Sequence, residues 1–249
     1  MSTLLLVAHG SRDPRSARAL RGLADAVRSR VASVPSNGEP PLWDRVELAF
    51  LEFSSPVLED VTADLRGEVV VVPLLLAEAF HARFDLPGRL AAVQDARSDV
   101  HFTTTPVLGP SPLLDAAVAR RGAELLGRGR DGLVVLATGS SRRRANAEVD
   151  DVATRVGHRL GVPVAAAAVT RGAGRRTLDE ALARLRTAGA RSVGVVPWFL
   201  APGRLLDAGC SQAADAGVTD VARPLADDPS LASLVLDRAH DTRGLTAAA

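Results

Sequence analysis

Cysteine is almost absent from this chain, which has only Cys210 among its 249 residues. A single thiol cannot form an intramolecular disulfide and cannot supply a cysteine-rich zinc site. It is compatible with a reducing compartment, and we expect a cytoplasmic protein. Lysine and isoleucine are missing altogether, so all 30 basic residues are arginine. GC-rich coding is the simplest explanation, although guanidinium groups are also good ligands for carboxylates.

Long apolar runs and an excess of one charge are lacking too. No stretch approaches the length of a membrane span, and the short N-terminal apolar run has no basic leader. We therefore expect neither a membrane segment nor a signal peptide. The formal net charge of +1 argues against a nucleic-acid partner. With 47% hydrophobic and 24% charged residues, the chain has the composition of a globular protein of one or two domains.

What the chain does contain is a regular alternation of strand and helix patterns. Apolar, β-branched runs predict strands at 4–8, 46–51, 68–74 and 100–104. Helical patterns occur at 14–34, 56–65, 86–97 and 111–126. This alternation predicts an α/β fold, Rossmann- or flavodoxin-like, with helices on both faces of a parallel sheet. In such sheets ligands bind at the carboxyl ends of the strands.

The pattern then starts again, which indicates an internal duplication. Residues 133–137, 162–169 and 193–197 repeat the first three strands. The intervening Gly127–Gly132 matches a dinucleotide-binding pattern by letter, but it precedes a strand, so we interpret it as a linker. We predict two homologous lobes, 1–127 and 128–249, related by a pseudo-two-fold axis with a ligand cleft between them. A chain with two lobes is expected to be a monomer or a homodimer.

Three potential metal ligands follow predicted strands in the first half only. They are His9 after the first strand, Glu52 after the second and His81 after the third. The matching positions of the second half carry Thr138, Thr170 (or Gly172) and Leu205. Residues needed for folding alone would be expected in both halves, so the asymmetry predicts one functional site in the N-terminal lobe. Two imidazoles and a carboxylate suit a divalent first-row metal, and an open coordination sphere would mark a catalytic site.

Each of these residues also has a purely structural interpretation. His9 would be a hydrogen-bonded histidine at a strand end, Glu52 an exposed charge and His81 a loop histidine. The other histidines fit a metal site less well, and we expect them on the surface; they are His101, His158 and His240.

The segments around these residues resemble the small bacterial class II tetrapyrrole chelatases. They are Leu6–Pro14 with His9-Gly10-Ser11, Phe50-Leu51-Glu52, and Val72-Pro73 followed by Phe80-His81 and Asp85-Leu86-Pro87. The resemblance is greatest to the sirohydrochlorin ferrochelatases and cobaltochelatases of siroheme and cobalamin synthesis, whose longer members are two fused copies. One departure is Ala77-Glu78-Ala79, where the family often has a glycine before the second histidine. Glu78 thereby becomes an additional candidate carboxylate.

The resemblance implies that Fe²⁺ or Co²⁺ is inserted, as a substrate, into sirohydrochlorin, and that no prosthetic group is needed. It implies that His9, His81 and Glu52 bind the metal and accept the pyrrole protons. The candidate substrate-binding residues beside these motifs are Gly10, Ser11, Arg12, Phe80 and Arg83. Further candidates in the second half are Arg142, Arg143, Arg144 and Arg204 for carboxylates, and Trp198 and Phe199 for apolar contacts.

Two other functions stay open. A phosphoryl-transfer enzyme with His9 as its nucleophile is disfavoured, because Ala8 stands where histidine phosphatases have a phosphate-binding arginine. A noncatalytic metal carrier or tetrapyrrole-binding protein is separated poorly from a chelatase by sequence. A chelatase catalyses repeated metallation, whereas a carrier or binding protein does not.

Overall fold

A computed structural model describes residues 2–33, 42–77 and 85–247 of the chain. The chain divides into two compact units. Unit 1 comprises Met1–Gly109 and Ala226–Ala249, and unit 2 comprises Pro110–Leu225. Among the described helices, none combines the length and apolar character that crossing a bilayer requires.

The first part of unit 1 alternates strands and helices as predicted. The elements are β1 (Ser2–Ala8), α1 (Pro14–Ser33), β2 (Arg45–Phe50), α2 (Leu58–Ala63), β3 (Gly67–Pro73), α3 (Leu86–Ala96) and β4 (Val100–Thr104). The four strands form one parallel sheet in the order β2-β1-β3-β4. The central strand β1 is buried along nearly its whole length, as expected for a parallel sheet covered on both faces.

Unit 2 repeats this plan with one strand fewer. Its elements are α4 (Pro112–Leu126), β5 (Gly132–Ala137), α5 (Arg143–Leu160), β6 (Val164–Ala168), α6 (Leu178–Thr187), β7 (Val193–Pro197) and α7 (Arg204–Asp215). The parallel sheet has the order β6-β5-β7, which corresponds to β2-β1-β3. A single bridge between Val195 and Val221 lies where unit 1 has its fourth strand. The chain closes with α8 (Pro229–Ala247).

The compact units differ from the predicted lobes 1–127 and 128–249, because the last helix of each sequence half belongs to the unit built from the other half. In unit 1, α8 packs on α1 and β3, and Arg238 donates to the carbonyls of Val107 and Leu108 at 3.1 and 2.9 Å. In unit 2, α4 packs on α5 and β7, and Arg155 binds both carboxylate oxygens of Asp115 at 2.6 and 3.1 Å. The sequence pattern predicts α4, at 111–126, but not where it packs, and α8 is an addition that the structure makes.

The exchange of helices predicts how fragments will behave. Fragment 110–225 keeps α4 and should unfold cooperatively. Fragment 128–249 lacks α4 and leaves its packing surface on α5 and β7 uncovered. It should be less stable by at least several kcal/mol, because each buried leucine-sized side chain that is lost costs about 2–5 kcal/mol. Thermal unfolding followed by circular dichroism compares the two directly. Equal melting temperatures would contradict this assignment of the units.

Candidate functional site

Two of the predicted ligands, His9 and Glu52, follow neighbouring strands whose ladder continues past the strand ends. Ala8 pairs with Phe50 at the last step of β1 and β2. Beyond it, the N–H of Leu51 donates to the carbonyl of Ala8, and the N–H of Glu52 donates to the carbonyl of His9, each at 2.9 Å. The two turns are therefore held side by side at the carboxyl edge of the sheet, where α/β proteins bind ligands.

Gly10 makes this close approach possible. Its φ of 92° lies in the left-handed region, which side chains disfavour. A Cβ placed on it would lie 1.7 Å from the carbonyl oxygen of Glu52. The glycine of the His-Gly-Ser motif is thus required by the backbone of the neighbouring turn. This structural requirement accounts for the glycine independently of its predicted role in substrate binding.

Ser11 and Ser54 fasten the two turns together. The N–H of Ser11 donates to the hydroxyl of Ser54 at 3.1 Å, and that hydroxyl donates to the carbonyl of Ser11 at 2.9 Å. The hydroxyl of Ser11 accepts from the N–H of Asp13 at 3.1 Å. Since the Ser11 amide is used within the protein, a substrate carboxylate would have to compete with Ser54 for it.

Asp13 caps α1, as its position before Pro14 predicts. Its carboxylate accepts the backbone N–H of Arg15 at 2.9 Å and also binds the Arg15 guanidinium. The side-chain hydrogen bond from Arg15, together with the backbone bond, lowers the pKa of Asp13 below its ordinary value. The cap fixes the point at which the turn carrying His9 becomes helix.

Phe53 is a site residue that the sequence analysis missed. Its ring lies edge-on to the imidazole of His9, with centroids 6.2 Å apart and planes at 89°. The guanidinium of Arg12 lies over the same ring, 5.0 Å from its centroid. Its position in the sequence could have identified it. It comes directly after Glu52 in a turn before Ser54-Ser55-Pro56, where a large apolar side chain belongs to no strand or helix.

A pocket of about 370 Å³ opens beside Glu52, lined by Leu51, Glu52, Asp85, Gly88 and Arg89. Arg89 is fixed in its wall, because it donates to the carbonyl of Leu51 at 2.7 Å and binds both carboxylate oxygens of Glu59. Burial acts to raise the pKa of Glu59, but the hydrogen bonds from Arg89 outweigh it and leave this pKa below its ordinary value. Arg89 therefore ties α3 to α2 and to the end of β2.

Unit 2 has the same backbone arrangement with different side chains. The N–H of Thr170 donates to the carbonyl of Thr138 at 3.0 Å, so Thr138 and Thr170 correspond to His9 and Glu52. Arg175 occupies this edge, donating to the hydroxyl of Thr170 at 2.7 Å and to the carbonyl of Ser140 at 2.9 Å. Asn146 exchanges two hydrogen bonds with the backbone of Ser140, each at 2.9 Å. The predicted asymmetry between the halves is thus an asymmetry of side chains on one shared scaffold.

Apart from Trp198 and Phe199, the remaining predicted site residues are either outside the described residues or exposed on the surface. Glu78, Phe80, His81 and Arg83 lie outside the described residues. Within the described ranges, no three His, Cys, Asp or Glu side chains converge as metal ligands. His101, His158 and His240 are exposed, as predicted. So are Arg12, Arg142, Arg143, Arg144 and Arg204.

Trp198 and Phe199 were candidates for apolar substrate contacts, and both have a packing role in unit 2. Trp198 is buried, and its backbone N–H donates to the carbonyl of Leu136 at 2.8 Å. Phe199 packs against the core of that unit.

Comparison with known proteins places these features in a family. The CbiX family model matches residues 3–125 and matches again over residues 132–242, which confirms the predicted duplication. The sirohydrochlorin cobaltochelatase of Priestia megaterium is 24% identical over 83% of this chain and 66% of its own length. That of Methanocaldococcus jannaschii is 32% identical over 38% of this chain and 62% of its own length. The matched region thus spans less than two thirds of each of these relatives.

Solved structures share the fold over nearly the whole chain. SirB from Bacillus subtilis with Fe³⁺ superimposes with a TM-score of 0.76 at 22% identity, covering 99% of this chain and 97% of SirB. CbiX, described as the terminal enzyme for biosynthesis of siroheme in denitrifying bacteria, gives a TM-score of 0.63 at 21% identity, covering 96% of this chain and 98% of that one. At these identities the likeness establishes the α/β fold with its two parallel sheets.

Gly10→Ala tests the close approach of the two turns. The new methyl group must displace the Glu52 carbonyl and hold a left-handed φ, so we expect the free energy of unfolding to fall by about 2–4 kcal/mol. Gly22→Ala is the matched control, because Gly22 lies in α1 and a Cβ there would have nothing within 4 Å. It should raise the free energy of unfolding by about 0.5–1 kcal/mol. Urea denaturation measures both, and a stable Gly10→Ala variant would contradict the geometry.

Glu59→Gln tests the tie between α2 and α3. The ion pair is half-exposed, so the variant should lose only about 0.5–1 kcal/mol at pH 7. Because the folded-state pKa of Glu59 lies below its ordinary 4.5, the contribution is complete above pH 4.5 and is lost as the pH falls through the folded-state value. The difference from the unchanged protein should therefore shrink in acid. In an Arg89→Gln background the same substitution should have no further effect at pH 7.

Proposed function

The chain belongs to the CbiX family, and we propose that it inserts a divalent metal, Fe²⁺ or Co²⁺, into a sirohydrochlorin-type tetrapyrrole. The main support for this proposal is that a backbone hydrogen bond holds His9 beside Glu52 in unit 1. The equivalent bond in unit 2 joins Thr138 and Thr170. An imidazole and a carboxylate on adjacent turns are metal ligands and proton acceptors, whereas two threonines are neither at neutral pH. The names of the two curated relatives support the same activity.

The reaction releases two protons, because a metal-free tetrapyrrole loses both pyrrole N–H protons as M²⁺ enters. Neutral imidazole binds first-row metals and also accepts protons near neutral pH. We assign both tasks to His9 and His81, with Glu52 as a further ligand or proton acceptor. Metal and proton compete for the same imidazole lone pair, so each histidine performs the two tasks at different times.

The substrate carries several carboxylates around a planar apolar ring. Arg12 is exposed beside the His9 turn and offers a guanidinium for one of these groups. We assign the same task to Arg83, and apolar contact with the ring to Phe80, on the strength of their positions next to His81 in the sequence. Gly10 and Ser11 shape the turn that meets the substrate.

Turnover is the direct test of this function. The purified chain is mixed with sirohydrochlorin and either Co²⁺ or, without oxygen, Fe²⁺, and the absorbance change of the tetrapyrrole is followed. A chelatase accelerates metallation at substoichiometric protein concentration. A metal carrier or tetrapyrrole-binding protein gives only a change proportional to the protein added, and that outcome would overturn the proposal. Comparing the two metals under the same conditions shows which one the protein prefers.

Replacing His9 or His81 by alanine should lower the metallation rate about 100-fold or more, because each variant loses a metal ligand and a proton acceptor together. The rate is measured by the same absorbance assay at saturating metal and tetrapyrrole. Far-ultraviolet circular dichroism should be unchanged in both variants; at His9, the bond that joins its turn to the Glu52 turn uses backbone atoms only.

The duplication supplies matched controls for both variants. Thr138→Ala changes the position in unit 2 that corresponds to His9, and Leu205→Ala changes the predicted counterpart of His81. Both should leave the rate close to that of the unchanged protein. A full rate in His9→Ala, or an equal loss in Thr138→Ala, would show that the site is assigned to the wrong lobe.

A further inference from the structure

Phe53 is exposed in a way that the fold does not require. The residue has 54% of its surface open to solvent, and the other exposed large hydrophobic residues in the described ranges are leucines, Leu42 and Leu205. Burying a phenylalanine side chain stabilises the folded state, and a ring that stays exposed to solvent does not contribute this stabilisation. A small or polar residue would serve a surface turn equally well. The ring at this position thus needs an explanation other than packing in the core.

The backbone of Phe53 is also strained. Its φ of 60° makes it the one non-glycine residue with a positive φ in the part of the chain that the structure describes. The N–H of Ser54 donates to the carbonyl of Glu52 at 2.7 Å, which closes a three-residue γ-turn around Phe53. Bulky residues rarely adopt this conformation, and glycine adopts it without cost. Strain of this kind persists mainly at functional sites.

The ring contacts two residues that the proposed reaction uses for different purposes. The guanidinium of Arg12 stacks over it at 5.0 Å, within the range of a cation–π interaction, which leaves the N–H groups at the edge of the guanidinium able to bind carboxylates. The imidazole of His9 meets it edge-on at 6.2 Å, a favourable aromatic arrangement. One side chain therefore links the exposed cation with the metal-binding imidazole.

We propose that Phe53 is a positioning residue, which holds the Arg12 guanidinium and the His9 imidazole in the relative arrangement that the bound tetrapyrrole requires. The inference rests on the proposed function. Through Arg12 the ring acts on tetrapyrrole binding, and through His9 it acts on the metallation step. The side chain is retained in a strained, solvent-exposed turn because both partners need a fixed aromatic surface between them.

Three substitutions separate positioning from a structural role. Phe53→Leu keeps the apolar side chain and the backbone strain but removes the ring, so it should raise the KM for sirohydrochlorin about two- to fivefold. It should also lower kcat about tenfold, since a loosened imidazole loses its alignment. Phe53→Trp keeps an aromatic face and should restore most of both. Phe53→Gly relieves the strain, so it should keep or raise the unfolding midpoint in urea while losing activity as Phe53→Leu does.

A double-mutant cycle with Arg12→Ala completes the test. If the ring acts on binding through Arg12, then Phe53→Leu should raise KM in the unchanged protein and leave KM unaltered in the Arg12→Ala background. The inference is overturned if Phe53→Leu is as active as the unchanged protein, if Phe53→Trp rescues nothing, or if Phe53→Gly loses stability and activity together. Failure of the unchanged protein to metallate sirohydrochlorin would instead refute the proposed function, before any variant is compared.

Discussion

One backbone hydrogen bond, from the N–H of Glu52 to the carbonyl of His9, organises the candidate site. It extends the parallel ladder beyond the ends of β1 and β2, so that two turns from distant parts of the chain lie against each other. The bond is compatible only with glycine at position 10, because any Cβ there would overlap the Glu52 carbonyl. Ser11 and Ser54 join the two turns by two further hydrogen bonds, and His9, Arg12 and Phe53 lie on the turns that are held together in this way.

The duplicated half shows that this frame is independent of the chemistry it carries. Thr170 and Thr138 make the same backbone bond in unit 2, again next to a glycine with a positive φ, Gly139. There, however, the polar groups at the edge are satisfied by Arg175 and Asn146 from the same unit. A strand-end scaffold can thus be kept for its stability while its side chains either meet a ligand or bind one another. Function lies in the side chains placed on the fold.

The two halves nevertheless depend on each other for folding, because α8 completes unit 1 and α4 completes unit 2. Each sequence repeat lacks part of the core of the unit that it begins. Unit 2 therefore contributes to folding even though Thr138 and Thr170 stand where unit 1 has His9 and Glu52. Phe53 in unit 1 differs, because its exposed ring and its positive φ both disfavour the folded state.

The α/β alternation, the duplication and the placing of His9 and Glu52 at strand ends all followed from the sequence, because continuous apolar runs, helix caps such as Asp13-Pro14 and a repeated pattern are local signals. Each predicted strand end lies within two residues of the end that the structure has. Three features depended on contacts between residues far apart in the chain: the packing of α4 and α8, the reason for Gly10, and the aromatic link through Phe53. Periodicity shows that a helix has an apolar face but not what covers it, and a turn residue acquires its role only from the neighbour that the fold brings to it.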